Sequence, residues 1–165
     1  MAAAISPELM DQTRQSVAQM SADELQRLQV LCGEDQEELT AFALAFLSER
    51  SPDAAGVALY AHVVLMEAFR HSNARFRTIE EDEILRAWED NAEFVDALQE
   101  AGYGRQPFRV QPEKHAEPAA LQYALDALTE DDEDDPVDID DDEFWHAFRV
   151  LKTVIDCMHD ARRTG

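Results

Sequence analysis

Glycine and proline are scarce in this chain, with five glycines and six prolines in 165 residues. Long runs of alternating β-branched residues are also missing, so the sequence lacks the pattern of a strand-rich fold with many tight turns. It has no stretch of eighteen uncharged apolar residues, so neither a membrane-spanning helix nor a membrane partner is expected. The first twelve residues contain neither a basic segment nor a long apolar one, so no secretory signal is indicated and a cytoplasmic location is expected.

Basic residues and cysteines are also few. Fourteen lysines and arginines stand against 36 aspartates and glutamates, and the formal net charge is −22. Such a surface repels phosphate, so nucleic acid is not an expected partner. The two cysteines, Cys32 and Cys157, form no Cys-x-x-Cys pair and are expected to be reduced and structural. Neither lysine belongs to a glycine-rich phosphate loop and no serine lies in a Gly-x-Ser-x-Gly elbow, so the sequence indicates no catalytic motif.

The apolar residues that are present recur at helical spacing along most of the chain. A length of 165 residues with 45% apolar content fits one domain, residues 1–165. We predict an all-α fold, a compact bundle of six to seven helices with an acidic loop before the last one. The predicted helices cover residues 7–20, 21–33, 35–50, 52–72, 78–102 and 118–128, and a seventh runs from about residue 144 to the C-terminus.

Four sequence signals mark the beginnings of predicted helices. Ser6-Pro7 and Ser51-Pro52 each place an N-cap hydroxyl before a proline at the first helical position. Ser21 and Thr78 each begin a capping box, in which a glutamate follows three residues later. The helix after Ser51 is apolar nearly all round between residues 57 and 69, so we predict that it is the central helix of the bundle.

The most unusual feature is the acidic run, residues 130–143, in which eleven of fourteen residues are aspartate or glutamate and none is basic. These eleven charges are half of the net charge of −22. Three interpretations remain open: a solvated loop, a docking patch for a basic protein partner, and a metal site. A docking patch of one sign would speed association and would weaken as salt is added.

The metal interpretation rests on the layout of an EF-hand, a loop of about twelve residues between two helices that binds calcium through oxygen atoms. If Asp132 takes the first position, Pro136 stands at the fifth, where a ligand is needed. Val137 replaces the glycine of the sixth position, so the pattern is degraded. The candidate ligands for calcium, or less favourably magnesium, are Asp132, Asp134, Asp138, Asp140 and Glu143.

Positive charge meets aromatic side chains in two short segments, one after the fourth helix and one within residues 103–117, where no regular structure is predicted. Arginine and aromatic residues are favoured at protein interfaces. The alternative is that these cations, with Arg70 and His71, pair with nearby carboxylates or with helix C-termini. The candidate partner-binding residues are Arg75, Phe76, Arg77, Arg105, Phe108 and Arg109.

Two carboxylate pairs have the spacing of the magnesium-binding pairs of all-helical nucleotide pyrophosphatases, namely Glu80-x-x-Glu83 and Glu93-x-x-Asp96. We predict that both pairs lie along one helix, where they cannot converge on a single ion. A metal site would then require a dimer that brings this face against its symmetry mate. The pairs Glu143-x-x-His146 and Asp156-x-x-His159 also fall on one predicted helix, without a matching pair on a second.

His62 lies within the apolar fourth helix, where a buried imidazole needs a hydrogen-bond partner. We interpret it as a hydrogen-bonded core histidine at the edge of the bundle, because no other histidine or cysteine lies one helical turn away. A ligand or general-base role is the alternative.

For function, the sequence favours a non-catalytic intracellular protein-binding domain that is regulatory, escort-like or inhibitor-like. The first alternative is a calcium- or magnesium-responsive protein that uses the acidic run. The second is a helical-bundle metal-dependent hydrolase whose site forms only on dimerisation.

Overall fold

The computed structural model describes residues 4–72, 74–101, 110–129 and 139–163, and the fold is all-α. Within these ranges a 3₁₀ turn covers Pro112–Lys114, and a short antiparallel ribbon joins β1 (Arg75–Phe76) to β2 (Arg162–Arg163). The predicted helical bundle is confirmed. No helix in the described ranges is long and apolar enough to cross a membrane. The α-helices of these ranges are α1 (Pro7–Ala18), α2 (Ala22–Asp35), α3 (Glu37–Leu47), α4 (Pro52–Arg70), α5 (Glu81–Ala101), α6 (Pro118–Thr129) and α7 (Asp141–Ala161).

Three of the four predicted helix starts are confirmed by their capping bonds. The hydroxyl of Ser6 accepts from the backbone N–H of Leu9, at the start of α1. Ser21 and Ser51 cap α2 and α4 in the same way. Each of these side chains satisfies one of the backbone donors that a helix leaves without a partner in its first turn.

The predicted capping box at Thr78 is wrong by two residues. Helix α5 begins at Glu81, and Glu83 Oε2 accepts from the backbone N–H of Glu80 at 2.9 Å. The reciprocal glutamate of the box is therefore Glu83. The segment before the helix is fastened to Gln36, since the backbone N–H of Ile79 donates to Gln36 Oε1 at 3.0 Å.

Gln36 separates α2 from α3 and fastens the segment before α5 to them. Helix α2 was predicted to stop at Gly33, but it continues to Asp35, and Gln36 follows with a non-helical backbone and a buried side chain. Its Nε2 donates to the carbonyl oxygen of Arg77 at 2.9 Å, while its Oε1 accepts from Ile79. We call these two bonds from Gln36 to Arg77 and Ile79 the Gln36 clamp. The sequence does not predict the clamp, because its bonds join positions that are 41 and 43 residues apart.

Replacement of Gln36 by alanine should destabilise the protein by about 1–3 kcal/mol, because the buried N–H of Ile79 would lose the Gln36 oxygen to which it donates. Hydrogen exchange measures the effect at one site: the Ile79 amide should lose protection, whereas amides in the middle of α4 should change only with global stability. Gln26→Ala on the exposed face of α2 is the matched control. Unchanged exchange at Ile79 would contradict the clamp.

Helix α4 is central, as predicted, since it packs against α1, α2, α3, α6 and α7. Helix α7 shares the centre and packs against α3, α4, α5 and α6. Helices α4 and α7 run in the same direction: Ser51 Oγ donates to Glu143 Oε2 at 2.8 Å where both begin, and Arg162 Cζ lies 5.8 Å from the Phe69 ring where both end. The acidic run therefore leads into one end of the bundle, and the ribbon lies at the other.

Candidate functional site

The described part of the acidic run forms the start of α7. Asp140 is the N-cap, and its Oδ1 accepts from the backbone N–H of Glu143 at 2.8 Å. Asp141 and Asp142 follow in the first turn and are exposed, whereas Ile139 is buried. Carboxylates in this position are stabilised by the positive end of the helix dipole. Asp132, Asp134 and Asp138 lie outside the described residues.

Two of the proposed calcium ligands already have protein partners. Asp140 caps α7, and Glu143 Oε2 accepts from Ser51 Oγ. The twelfth position of a calcium loop uses both carboxylate oxygens, so Glu143 would have to release Ser51 to take that role. In the described ranges no group of three or more histidine, cysteine, aspartate or glutamate residues is placed to hold a metal ion. The calcium site stays a prediction.

The first of the two arginine–aromatic segments lies on the ribbon. Phe76 is half-buried and meets the Phe69 ring edge-on, with 5.8 Å between centroids. Arg77 Nη1 lies 2.6 Å from Glu83 Oε1, and their hydrogen bond raises the pKa of Arg77 and lowers the pKa of Glu83. Arg75 is exposed. Arg105, Phe108 and Arg109 lie outside the described residues, so the partner-binding role of both segments stays a prediction.

The cations at the end of α4 pair internally. Glu67 is buried, and its two oxygens accept from Nε and Nη2 of Arg70 at 3.0 Å each. This hydrogen bonding raises the pKa of Arg70. His71 Nε2 lies 2.6 Å from the same carboxylate. The interpretation that these cations pair with nearby carboxylates is therefore confirmed for Arg70.

The carboxylates proposed for a dimeric metal site lie as predicted along one helix. Glu83, Glu93 and Asp96 belong to α5, and Glu80 immediately precedes it. Glu83 is held by Arg77, so it would have to leave that ion pair to bind a metal. The hydrolase alternative stays a prediction.

The Glu-x-x-His and Asp-x-x-His pairs of α7 also have separate partners. His146 Nε2 lies 2.7 Å from the carbonyl oxygen of Phe46, and Asp156 Oδ2 accepts from Lys152 Nζ at 2.8 Å. His159 Nδ1 lies 3.1 Å from Glu117 Oε1. Burial lowers the pKa of His146. These contacts give the two histidines structural roles at helix–helix junctions.

A buried ionic cluster at the ribbon end has no sequence signal. We call Ile5, Glu117, His159 and Arg162 the Glu117 cluster. Glu117 is only 2% exposed, and its Oε2 accepts from the backbone N–H of Ile5 at 2.9 Å. Arg162 Nη1 lies 2.6 Å from Glu117 Oε1, although no guanidinium nitrogen makes a well-aligned hydrogen bond within the described residues. The cluster joins the segment before α1, the start of α6 and the end of α7.

A second buried polar group lies between α5 and α7. Lys152 Nζ donates to Asn91 Oδ1 and to Asp156 Oδ2, both at 2.8 Å. Asn91 Nδ2 donates to Thr153 Oγ1 at 3.1 Å. The lysine also lies 4.7 Å above the Phe94 ring. Because every member has a partner, these contacts fix the register of the two helices. A lysine within the apolar stripe of α7 was the signal for this group.

His62 is a core residue, but the prediction of a hydrogen-bonded histidine is wrong. It is 2% exposed, and neither ring nitrogen has a partner within the described residues. Its helix is surrounded by other helices, so the side chain is not at the edge of the bundle. Burial lowers its pKa from 6.5 to about 4, which keeps the imidazole neutral near pH 7.

Aromatic side chains of α3 and α5 pack against one another, with Phe42 buried and with Phe46 and Trp88 partly exposed. The Trp88 ring lies 4.9 Å from the Phe46 ring and 5.6 Å from the Phe42 ring, both edge-on. Arg149 Cζ lies 3.4 Å above the Trp88 ring, and its Nε and Nη2 donate to the Trp88 carbonyl oxygen. Leu85 lies one turn before Trp88 and is 43% exposed. We call Phe42, Phe46, Leu85 and Trp88 the α3–α5 seam.

Comparison with known proteins adds no relative to this picture. The chain matches no protein-family model, no curated protein and no solved structure.

Proposed function

We propose that this chain is a non-catalytic intracellular protein-binding domain, with a regulatory, escort or inhibitor role, and that it docks a basic partner on the acidic run. The observation that carries the proposal is that many described cations are paired within the molecule, whereas carboxylates remain exposed at the start of α7. Asp142 is exposed at the start of α7, in a protein of net charge −22.

Many of the described cations are occupied inside the molecule. Arg149 donates to a backbone carbonyl and covers the Trp88 ring. Others form ion pairs, so the charge left for a partner is predominantly negative. These pairs are Arg14 with Asp11, Arg70 with Glu67, Arg77 with Glu83, Lys152 with Asp156, and Arg162 with Glu117.

Two further features support this proposal. A surface of one sign attracts an oppositely charged partner over about 10 Å at moderate salt, so it speeds association and gives specificity for basic surfaces. The thiols of Cys32 and Cys157 are free and buried, and burial raises their pKa values to about 11 and about 12, so both stay protonated near pH 7. Free, unreactive cysteines of this kind suit the reducing interior of a cell.

Neutralising the acidic run should weaken binding of a basic probe. The test variant changes Asp132, Asp134, Asp138 and Asp142 to asparagine and leaves the Asp140 cap and the Glu143 bond in place. Fluorescence anisotropy with a labelled oligolysine peptide should show about tenfold or greater loss of affinity at low salt, and the difference should shrink as salt is added.

The matched control removes the same number of exposed carboxylates from α1, α2 and α3. Because this variant has the same net charge, it separates the acidic run from general attraction. The affinity of the control should stay close to that of the unchanged protein. Equal losses in the two variants would contradict the proposal. The control residues are Glu8, Asp23, Glu34 and Glu37, each changed to its amide.

A further inference from the structure

We propose that the α3–α5 seam binds an amphipathic helix with a basic polar face, supplied by a protein partner. This inference rests on the proposed function and adds to it, because it gives the basic partner an apolar face and places that face on the molecule. Its basis is an exposed apolar surface that is edged by carboxylates and continuous with the start of α7.

The apolar part of the surface centres on Leu85. This side chain is 43% exposed, and Trp88 one turn later is half-buried. Phe46 is also half-buried and lies 4.9 Å from Trp88, so the surface extends from α5 to α3. Tryptophan is among the usual anchors of protein interfaces, and the exposed Leu85 adds apolar surface one turn away on the same helix.

Exposed carboxylates lie on both sides of this apolar centre. Glu81 and Glu89 are one turn before and one turn after Leu85 on α5, and both are exposed. On the α3 side, Glu49 follows Phe46 by three residues and is exposed. The arrangement of an apolar stripe with acidic margins matches a helix whose leucine-like anchors are flanked by lysine or arginine.

The seam is also joined to the acidic run. His146 Nε2 lies 2.7 Å from the Phe46 carbonyl oxygen, and its ring is 5.8 Å from the Trp88 ring. Asp142 is exposed one helical turn before His146 on α7. A ligand that contacts Leu85, Phe46 and the part of Trp88 that Arg149 leaves open therefore passes close to the last residues of the run.

The charge of this surface decides which occupant fits. A second copy of the chain would bring Glu81, Glu89 and Asp142 against carboxylates of the same sign, which opposes association. Three arginines also lie near the seam, namely the exposed Arg50 and Arg86 and also Arg149, which covers the Trp88 ring. The four carboxylates Glu49, Glu81, Glu89 and Asp142 still outnumber them. A basic amphipathic helix satisfies both the apolar centre and the acidic margins.

The test uses a synthetic lysine–leucine peptide of about four helical turns with its leucines on one face. A second peptide of identical composition has the leucines spread around the helix. The facially amphipathic peptide should bind at least about tenfold more tightly. It should also change the tryptophan fluorescence, and Trp88 is the reporter because Trp145 is only 4% exposed.

Leu85→Ser should weaken binding of the facially amphipathic peptide by about tenfold and leave the fold intact, since the side chain is exposed. Leu44→Ser is the matched control. Leu44 is 49% exposed, but it is two residues from both Phe42 and Phe46 on α3 and so lies about half a turn away from the seam. Binding to this control should equal binding to the unchanged protein.

The outcomes separate this inference from the proposed function. If both peptides bind equally, or if Leu85→Ser has no effect while the neutralised acidic run weakens binding, the seam is not the docking site and the proposed function survives. If neither peptide binds at low salt, both proposals fail. Discrimination between the peptides that disappears in Leu85→Ser but not in Leu44→Ser supports the seam.

Discussion

Replacement of Glu117 by glutamine should lower the free energy of unfolding by about 3–5 kcal/mol, because it leaves the Arg162 charge buried without a counter-ion. The Arg162 side chain is 3% exposed and the Glu117 side chain is 1% exposed, so water cannot take over this role in the folded state. Glutamine keeps the shape of the side chain and still offers an oxygen to the backbone N–H of Ile5. The expected loss therefore reports the charge and not a cavity.

Urea unfolding followed by circular dichroism at pH 7 measures this loss. Glu113→Gln, in the neighbouring 3₁₀ turn, is the matched control, since Glu113 is exposed and its removal should change stability by less than about 0.5 kcal/mol. Adding Arg162→Met to Glu117→Gln removes the stranded charge and should recover part of the loss. If Glu117→Gln lowered the free energy of unfolding by less than about 1 kcal/mol, the Glu117 cluster would not be what stabilises this end of the bundle.

The Glu117 cluster also explains how three distant parts of the chain are held together. Ile5 precedes α1, Glu117 precedes α6, and both His159 and Arg162 belong to the end of α7 and the ribbon. The ribbon is further tied by the backbone bond from Arg77 N–H to the Ala161 carbonyl at 3.0 Å. Weakening the Glu117 cluster should therefore make local unfolding easier at the ribbon end of the bundle than at the opposite end, where α4 and α7 begin.

Most of the helical fold was accessible from local sequence signals. A serine before the helix with proline or glutamate at the right offset predicts a start, and apolar residues at a spacing of 3.6 predict the buried face. Ser6, Ser21 and Ser51 confirm the first rule. The nearly complete apolar surface of residues 57–69 correctly placed α4 at the centre, because a helix without a polar face must be surrounded.

The failures share a physical cause, namely that partners far apart in sequence leave no periodic signal. Thr78 has the form of a capping residue, but Glu83 accepts from the Glu80 amide instead and the helix begins at Glu81, while Gln36 binds the Ile79 amide. No sequence pattern around Glu117 predicts that its carboxylate is buried. The sequence also did not predict the α3–α5 seam, because Trp88 and Leu85 fit the apolar stripe of α5. How much of each side chain stays exposed depends on the packing of α3 against α5.

Acid should destabilise this protein through His62, by about 3 kcal/mol between pH 6.5 and 4. Burial lowers the pKa of His62 in the folded state to about 4, against 6.5 for the free side chain. Between pH 6.5 and 4 the His62 imidazole is protonated in the unfolded chain but neutral in the folded chain, so the free energy of unfolding falls as the pH falls. The loss ends near the folded pKa, and each pKa unit corresponds to about 1.4 kcal/mol.

His62→Leu isolates this effect, since leucine fills a similar volume and cannot bind a proton. The measurement is the difference in unfolding free energy between variant and unchanged protein at several pH values. Carboxylates such as Glu117 also titrate in acid, but they are common to both proteins and cancel in the difference. At pH 8 the variant should be at least as stable, because it removes two buried nitrogens without partners. At pH 4.5 it should be more stable by at least about 2 kcal/mol. A difference that does not change with pH would mean that the imidazole finds a proton acceptor or water inside the folded bundle, and that His62 is not the source of acid sensitivity.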